Sequence, residues 1–195
     1  MNNIIDKNKI YVLERELIKI TTDFYISELL FNKSFEDSLV RYAQFLKDIS
    51  NHYAYTGIAG LYKIFDKNVT TNNIDYVIKH LTDTAKRDIY VTKANEIKKG
   101  LKPILERRRE VVAHSSQKED DDYLIFYKTY SKQEYEIIIK PTLENIAILL
   151  EQLRKDFGFE SSIDHHCVGI ENECGYLLES LVQIEKQRGY PIISS

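Results

Sequence analysis

The chain has 195 residues, and 27 Lys and Arg against 30 Asp and Glu leave a formal charge of −3. With 43% hydrophobic and 29% charged residues but only 7 Gly and 3 Pro, it holds apolar material for one packed core and too little turn punctuation for a multi-stranded β-protein. Disorder and collagen-like structure are excluded on the same grounds, and the slightly acidic balance confines any nucleic-acid binding to a local patch. No apolar run approaches the roughly 18–20 residues that span a bilayer, and the first residues lack the basic and apolar regions of a secretory leader. A soluble, unprocessed protein with no membrane partner is expected. The two cysteines, Cys167 and Cys174, lie too near each other to staple a fold, which points to a reducing cytoplasm.

From Ile10 to Phe31 the apolar residues Ile10, Leu13, Leu17, Ile20 and Phe24 recur at steps of three and four, one face of a helix. Ser34, followed by Glu36 and Asp37, predicts the cap and acidic first turn of a second helix that runs to Phe65. Gly57 and Gly60 within it mark a bend or a close approach by another helix, and packing is the reading adopted. A polar loop from Asp66 to Asn73 leads to a short third helix carried by Ile74, Val77, Ile78 and Leu81. A fourth helical stretch is expected from about Thr92 to His114, interrupted at Gly100 and restarted at Pro103, because proline suits a first helical turn.

Residues 115–122 read as a solvated loop, and Tyr123 to Tyr127 as a strand or an extended segment. After Pro141, Thr142 opens a helix carried by Leu143, Ile146, Leu149, Leu150 and Leu153 and stopped by Gly158. A last helix is expected from about Ile170 to Lys186. The fold class is all-α: an up-and-down helical bundle over 1–158, with 159–195 as a small C-terminal helical extension that packs on it or stands apart.

The run Glu106-Arg107-Arg108-Arg109-Glu110-Val111-Val112-Ala113-His114 stands out, with Lys98, Lys99 and Lys102 just upstream. An arginine offers a fixed fork of donors to a phosphate, and a histidine can accept and return a proton near neutral pH. A metal-independent ribonuclease needs both: one group to hold the scissile phosphate and its developing charge, another to activate the 2′-hydroxyl or protonate the leaving oxygen. On a regular helix Arg107 shares a face with His114; if the helix ends near Ala113, any of the three arginines can converge on it. The competing reading is a solvated basic helix end that complements the C-terminal dipole.

Arginine followed by four to six residues and then histidine, at the end of an apolar helix in a small all-helical protein, resembles the signature of the HEPN superfamily. The string from Arg108 to His114 is similar to the form found in its abortive-infection branch. The stretch from Tyr53 to Asp66, ending in a Leu-x-x-x-Phe-Asp pattern before a polar loop and short helix, resembles the same branch. The likeness covers roughly Ile10 to Lys155.

It implies a bundle that forms a homodimer with two Arg-His motifs facing each other. It also implies an endoribonuclease that needs no metal or other cofactor and leaves 2′,3′-cyclic phosphate ends on its RNA. Such proteins serve as toxins, with or without an antitoxin partner, or as phage-defence effectors. By this resemblance His114 is the general acid/base, Arg108 matches the five-residue spacing, Arg109 the four-residue and Arg107 the six-residue spacing. Arg107, Lys98, Lys99 and Lys102 are the candidate substrate-binding residues. Where many toxin members carry Asn or Asp after the motif arginine this chain has Arg109, and where nucleotidyltransferase-paired members carry Tyr it has Ser116. A catalytically silent HEPN-like module that binds nucleic acid or a protein is the alternative.

Other constellations are weaker. Asp164, His165, His166 and Cys167 with Cys174 lack the two-cluster spacing of a zinc site. Glu119 to Asp122 lacks the alternation and central glycine of a calcium loop. His52 and His80 lie in helical patterns and are read as core or surface residues. The 14 tyrosines can stack bases, yet with no tryptophan they are more simply core fillers. No phosphate-cradling glycine loop, nucleophile elbow or His-Glu-x-x-His string is present.

Overall fold

The computed structural model describes residues 7–66, 73–114, 130–159, 176, 178–184 and 187; within 73–114 the side chains are described as far as Glu106. Among the described residues there are helices and no strand, so the chain is an all-α helical bundle.

Helix α1 (Lys7–Lys33) buries the predicted stripe, with Leu13 and Phe24 wholly inside. Ser34 ends this helix instead of capping the next: its amide donates to the Leu30 carbonyl at 3.0 Å and its hydroxyl to the Phe31 carbonyl at 2.6 Å. The single long second helix expected from Ser34 to Phe65 is therefore divided. A 3₁₀ helix (Asp37–Tyr42) turns the chain and tucks Leu39 between Leu30 and Leu46, and α2 (Ala43–Ile64) follows. Asn73 caps α3 (Ile74–Lys79), its side chain accepting from the Tyr76 amide at 2.6 Å.

Helix α4 (Thr84–His114) starts well before Thr92, behind Asp83, whose carboxylate accepts from the Lys86 amide at 3.1 Å. It also runs through Gly100 and Pro103 without the expected break. The apolar line explains this: Tyr90, Ala94, Leu101 and Ile104 are all buried, and interrupting the helix would lift one end of that line from the core.

The last long element likewise begins before Thr142. Ser131 and Glu134 form a reciprocal capping box, side chain to amide at 3.1 and 2.7 Å. From there α5 (Lys132–Glu134), a π-helical turn (Tyr135–Ile139) and α6 (Lys140–Asp156) follow without a gap. Pro141 lies inside this continuous run, directly after the π-helical turn. Gly158, at φ +73°, stops the helix as expected: its amide donates to the Lys155 carbonyl at 3.0 Å and the Phe159 amide to the Arg154 carbonyl at 3.1 Å, the two bonds of a Schellman cap. The expected strand or extended segment Tyr123–Tyr127 and the loop 115–122 lie outside the described residues. Of the expected last helix, the described positions are helical, and Leu178 packs with Leu30, Leu39 and Leu46.

Cross-helix contacts fix the topology. Lys63 meets Glu16 and Ser50 meets Ser27, so α2 runs antiparallel to α1. Arg154 meets Glu14 and Tyr130 meets Ser27, so α6 also runs antiparallel to α1. Lys86 reaches Asp156 and Lys93 reaches Gln152, which sets α4 antiparallel to α6. The result is up-down-up-down. The α1–α2 seam is held close by glycine: a Cβ on Gly60 would lie 2.4 Å from Ile20 Cγ1, and one on Gly57 3.0 Å from the Phe24 ring. Gly60→Ala should destabilise the protein by about 1–3 kcal/mol, because the clash falls on the Cγ1 methylene of a buried, β-branched side chain in a packed core. Urea unfolding should show a lower midpoint at unchanged slope.

Candidate functional site

Each helical residue advances about 100°, so on the unbroken α4 positions 107 and 114, two turns apart, fall within about 20° of one line. Positions 108 and 109 fall more than 100° from that of 114 on the same arithmetic. The line of 107 and 114 is the one that carries Lys93 and Gly100, whereas 108 continues the buried line of Ala94 and Leu101. The backbone of Arg107, Arg108, Arg109 and His114 is helical; their side chains lie outside the described residues.

Lys93 and Gly100 border a groove of about 530 Å³ between α4 and α6. Ile97, Ile138 and Leu149 line it, and Ile137 and Ile148 stand exposed on its α6 side. A Cβ on Gly100 would meet nothing within 4 Å among the described residues. Among the described residues that line it, one lysine and one glutamate, Lys93 and Glu96, are charged, so this part of the groove presents no excess of positive charge to a polyanion.

The upstream lysines differ from one another. Lys98 donates to Asp75 at 2.6 Å and lies over the Phe65 ring at 5.6 Å, half-covered on the α3 side of the helix. Lys102 pairs with Glu106 at 3.5 Å in full exposure, and Lys99 is exposed. Exposed pairs of this kind contribute about 0–1 kcal/mol, so a phosphate can take Lys102 from Glu106 at small cost, while Lys98 must first leave Asp75 and the ring.

Several polar groups that composition and spacing did not point to make contacts between helices elsewhere. Glu14 and Arg154 form an ion pair at 3.3 Å with both side chains almost wholly inside; burial pushes the Glu14 carboxyl up and Arg154 draws it back. Asp156 accepts from Lys86 at 2.7 Å and Tyr90 at 2.6 Å, and these bonds hold its carboxyl below the usual range. Burial, helped by that bond, pushes the Tyr90 phenol up to about 12. Burial also raises Tyr130, whose hydroxyl donates to Ser27 at 3.1 Å. Neither phenol can exchange a proton near neutral pH. These groups join helices and lie away from the basic run of α4.

Among the described residues no three His, Cys, Asp or Glu side chains are grouped to hold a metal ion, and no helix is long and apolar enough to cross a membrane. His165, His166, Cys167, Cys174 and the acidic run 119–122 lie outside the described residues. No protein-family model, curated protein or solved structure matches the chain significantly.

Because Pro103 lacks an amide, the Lys99 carbonyl loses its helical donor, and both residues face solvent. Pro103→Ala should raise stability by up to about 3 kcal/mol, and Gly100→Ala by about 0.5–1 kcal/mol because its Cβ has room. Circular dichroism melting curves would check both. Unchanged or lower melting temperatures would mean that the helix is broken between them after all.

Proposed function

We propose that the protein is a metal-independent endoribonuclease of the HEPN type, acting on RNA as a homodimer in defence or as a toxin held in check by an antitoxin, in the reducing interior of a cell. The observation that supports this reading is the continuity of α4, which keeps the register of positions 107 and 114 common across two turns and carries six basic residues against one acidic between 98 and 109.

In the proposed reaction the His114 imidazole takes the proton of the ribose 2′-hydroxyl, and the 2′-oxygen attacks the adjacent phosphorus. The bond from phosphorus to the 5′-oxygen breaks, leaving a 2′,3′-cyclic phosphate, and an imidazolium returns a proton to the departing oxygen. An arginine of the motif stabilises the charge that builds on the phosphoryl oxygens. The family likeness favours Arg108, with Arg109 second, whereas helical register favours Arg107. A silent binding module is the second reading, favoured by the carboxylate partners of Lys98 and Lys102.

The test is incubation of the protein with mixed cellular RNA in EDTA, beside His114→Ala and the single alanine variants of Arg107, Arg108 and Arg109. Cleavage by the wild type that leaves cyclic phosphate, falls at least 100-fold in His114→Ala and leaves its melting temperature within about 2 °C is the expected result. The arginine whose loss costs most identifies the motif residue. Intact RNA in every lane would reject the nuclease and leave the binding module.

A further inference from the structure

Asp23 lies near the middle of α1 with 6% of its surface exposed, and among the described residues its Oδ2 has no hydrogen-bond partner. It belongs to the α1–α2 seam. One turn along α1, Ser27 is bonded to Ser50 of α2 and to Tyr130. The next residue, Phe24, lies against Gly57, and α2 contributes buried Ala54. The charged groups around Asp23 are Lys19 and Glu16 on α1 and His52 on α2, and Glu16 is itself held by Lys63. Among the described residues no cation is bonded to the Oδ2 atom. A carboxylate so placed loses its hydration without a compensating bond, whereas the neutral acid loses much less.

From this geometry we infer that Asp23 is a proton-operated latch on the α1–α2 seam: the neutral acid lets the helices close, and ionisation loosens them. The direction of its titration agrees, since burial raises the Asp23 carboxyl, opposed in part by Lys19 and His52. A group whose folded pKa is raised contributes stability that is complete below its unfolded pKa, near 3.9, and is lost as pH rises through the folded value. The seam therefore tightens in acid and loosens towards neutral and alkaline pH. Asparagine at this site has a similar shape and no charge to lose. The inference is independent of any activity at α4.

Thermal unfolding of the full chain and of Asp23→Asn between pH 4.5 and 8 tests the latch. The melting temperature of the variant minus that of the wild type should grow by about 3 °C or more over that range. A difference that stays constant with pH would overturn the proposal, because a purely steric or hydrogen-bonding role does not titrate. Carbon-13 NMR of wild-type protein labelled at its aspartate carboxyls gives a reading that does not depend on the variant. One buried carboxyl should titrate clearly above the others, and ordinary titration of every aspartate near 3.9 would equally refute the latch.

Discussion

The close approach of α1 and α2 is the constraint on which the rest of the bundle depends. Two glycines make it, since neither Ile20 nor Phe24 leaves room for a Cβ opposite. With the helices that near, α1 presents its remaining faces to α6 and to the segment that begins at Tyr130, and α4 closes the bundle against α6. Small residues at the seam also mean that any polar side chain trapped there has little room for a compensating water. The buried hydroxyls of Ser27 and Ser50 solve this by bonding to each other, and Tyr130 joins them.

Two charge contacts between helices, one buried and one at the surface, are arranged around the C-terminal turn of α6. Arg154 reaches α1 through Glu14, and Asp156, two residues on, reaches α4 through Lys86 and Tyr90. A buried pair of this type contributes little net stability compared with apolar residues of the same shape, but removing either member leaves an uncompensated charge. It therefore selects one docking of α6 over neighbouring registers. The Schellman cap at Gly158 begins on the Arg154 carbonyl, so one residue serves both the helix end and the interhelical contact.

Elements whose signal is a repeated apolar step were legible in the sequence. The stripe of α1 and the stop at Gly158 needed nothing more than spacing and a glycine. The start of α5 was also written in the chain, as Ser131 followed three residues later by Glu134, but Pro141 suggested a later beginning. At α4 the local rule for proline gave way to tertiary packing, because Ala94 and Ile104 are held in the core on either side of Gly100 and Pro103, with Leu101 buried between them. Glu14 and Asp23 were illegible for a different reason. A lone acid within an amphipathic helix reads as a surface residue until the neighbouring helix is in place. For the candidate site, the sequence supplied the residue types, and the continuity of α4 added which positions share a register.

The two halves of the Glu14–Arg154 pair are 140 positions apart in the chain (154 − 14). At about 5–20 residues per second, a ribosome adds the arginine roughly 7–30 s after the glutamate. Through that interval α1 and α2 can pair, because their contacts are local, whereas Glu14 keeps its water until α6 arrives. Docking of α6 is the step that removes this water, and it is favourable only when Arg154 arrives in register. The charge of Glu14 therefore has its buried partner only once α6 has been made.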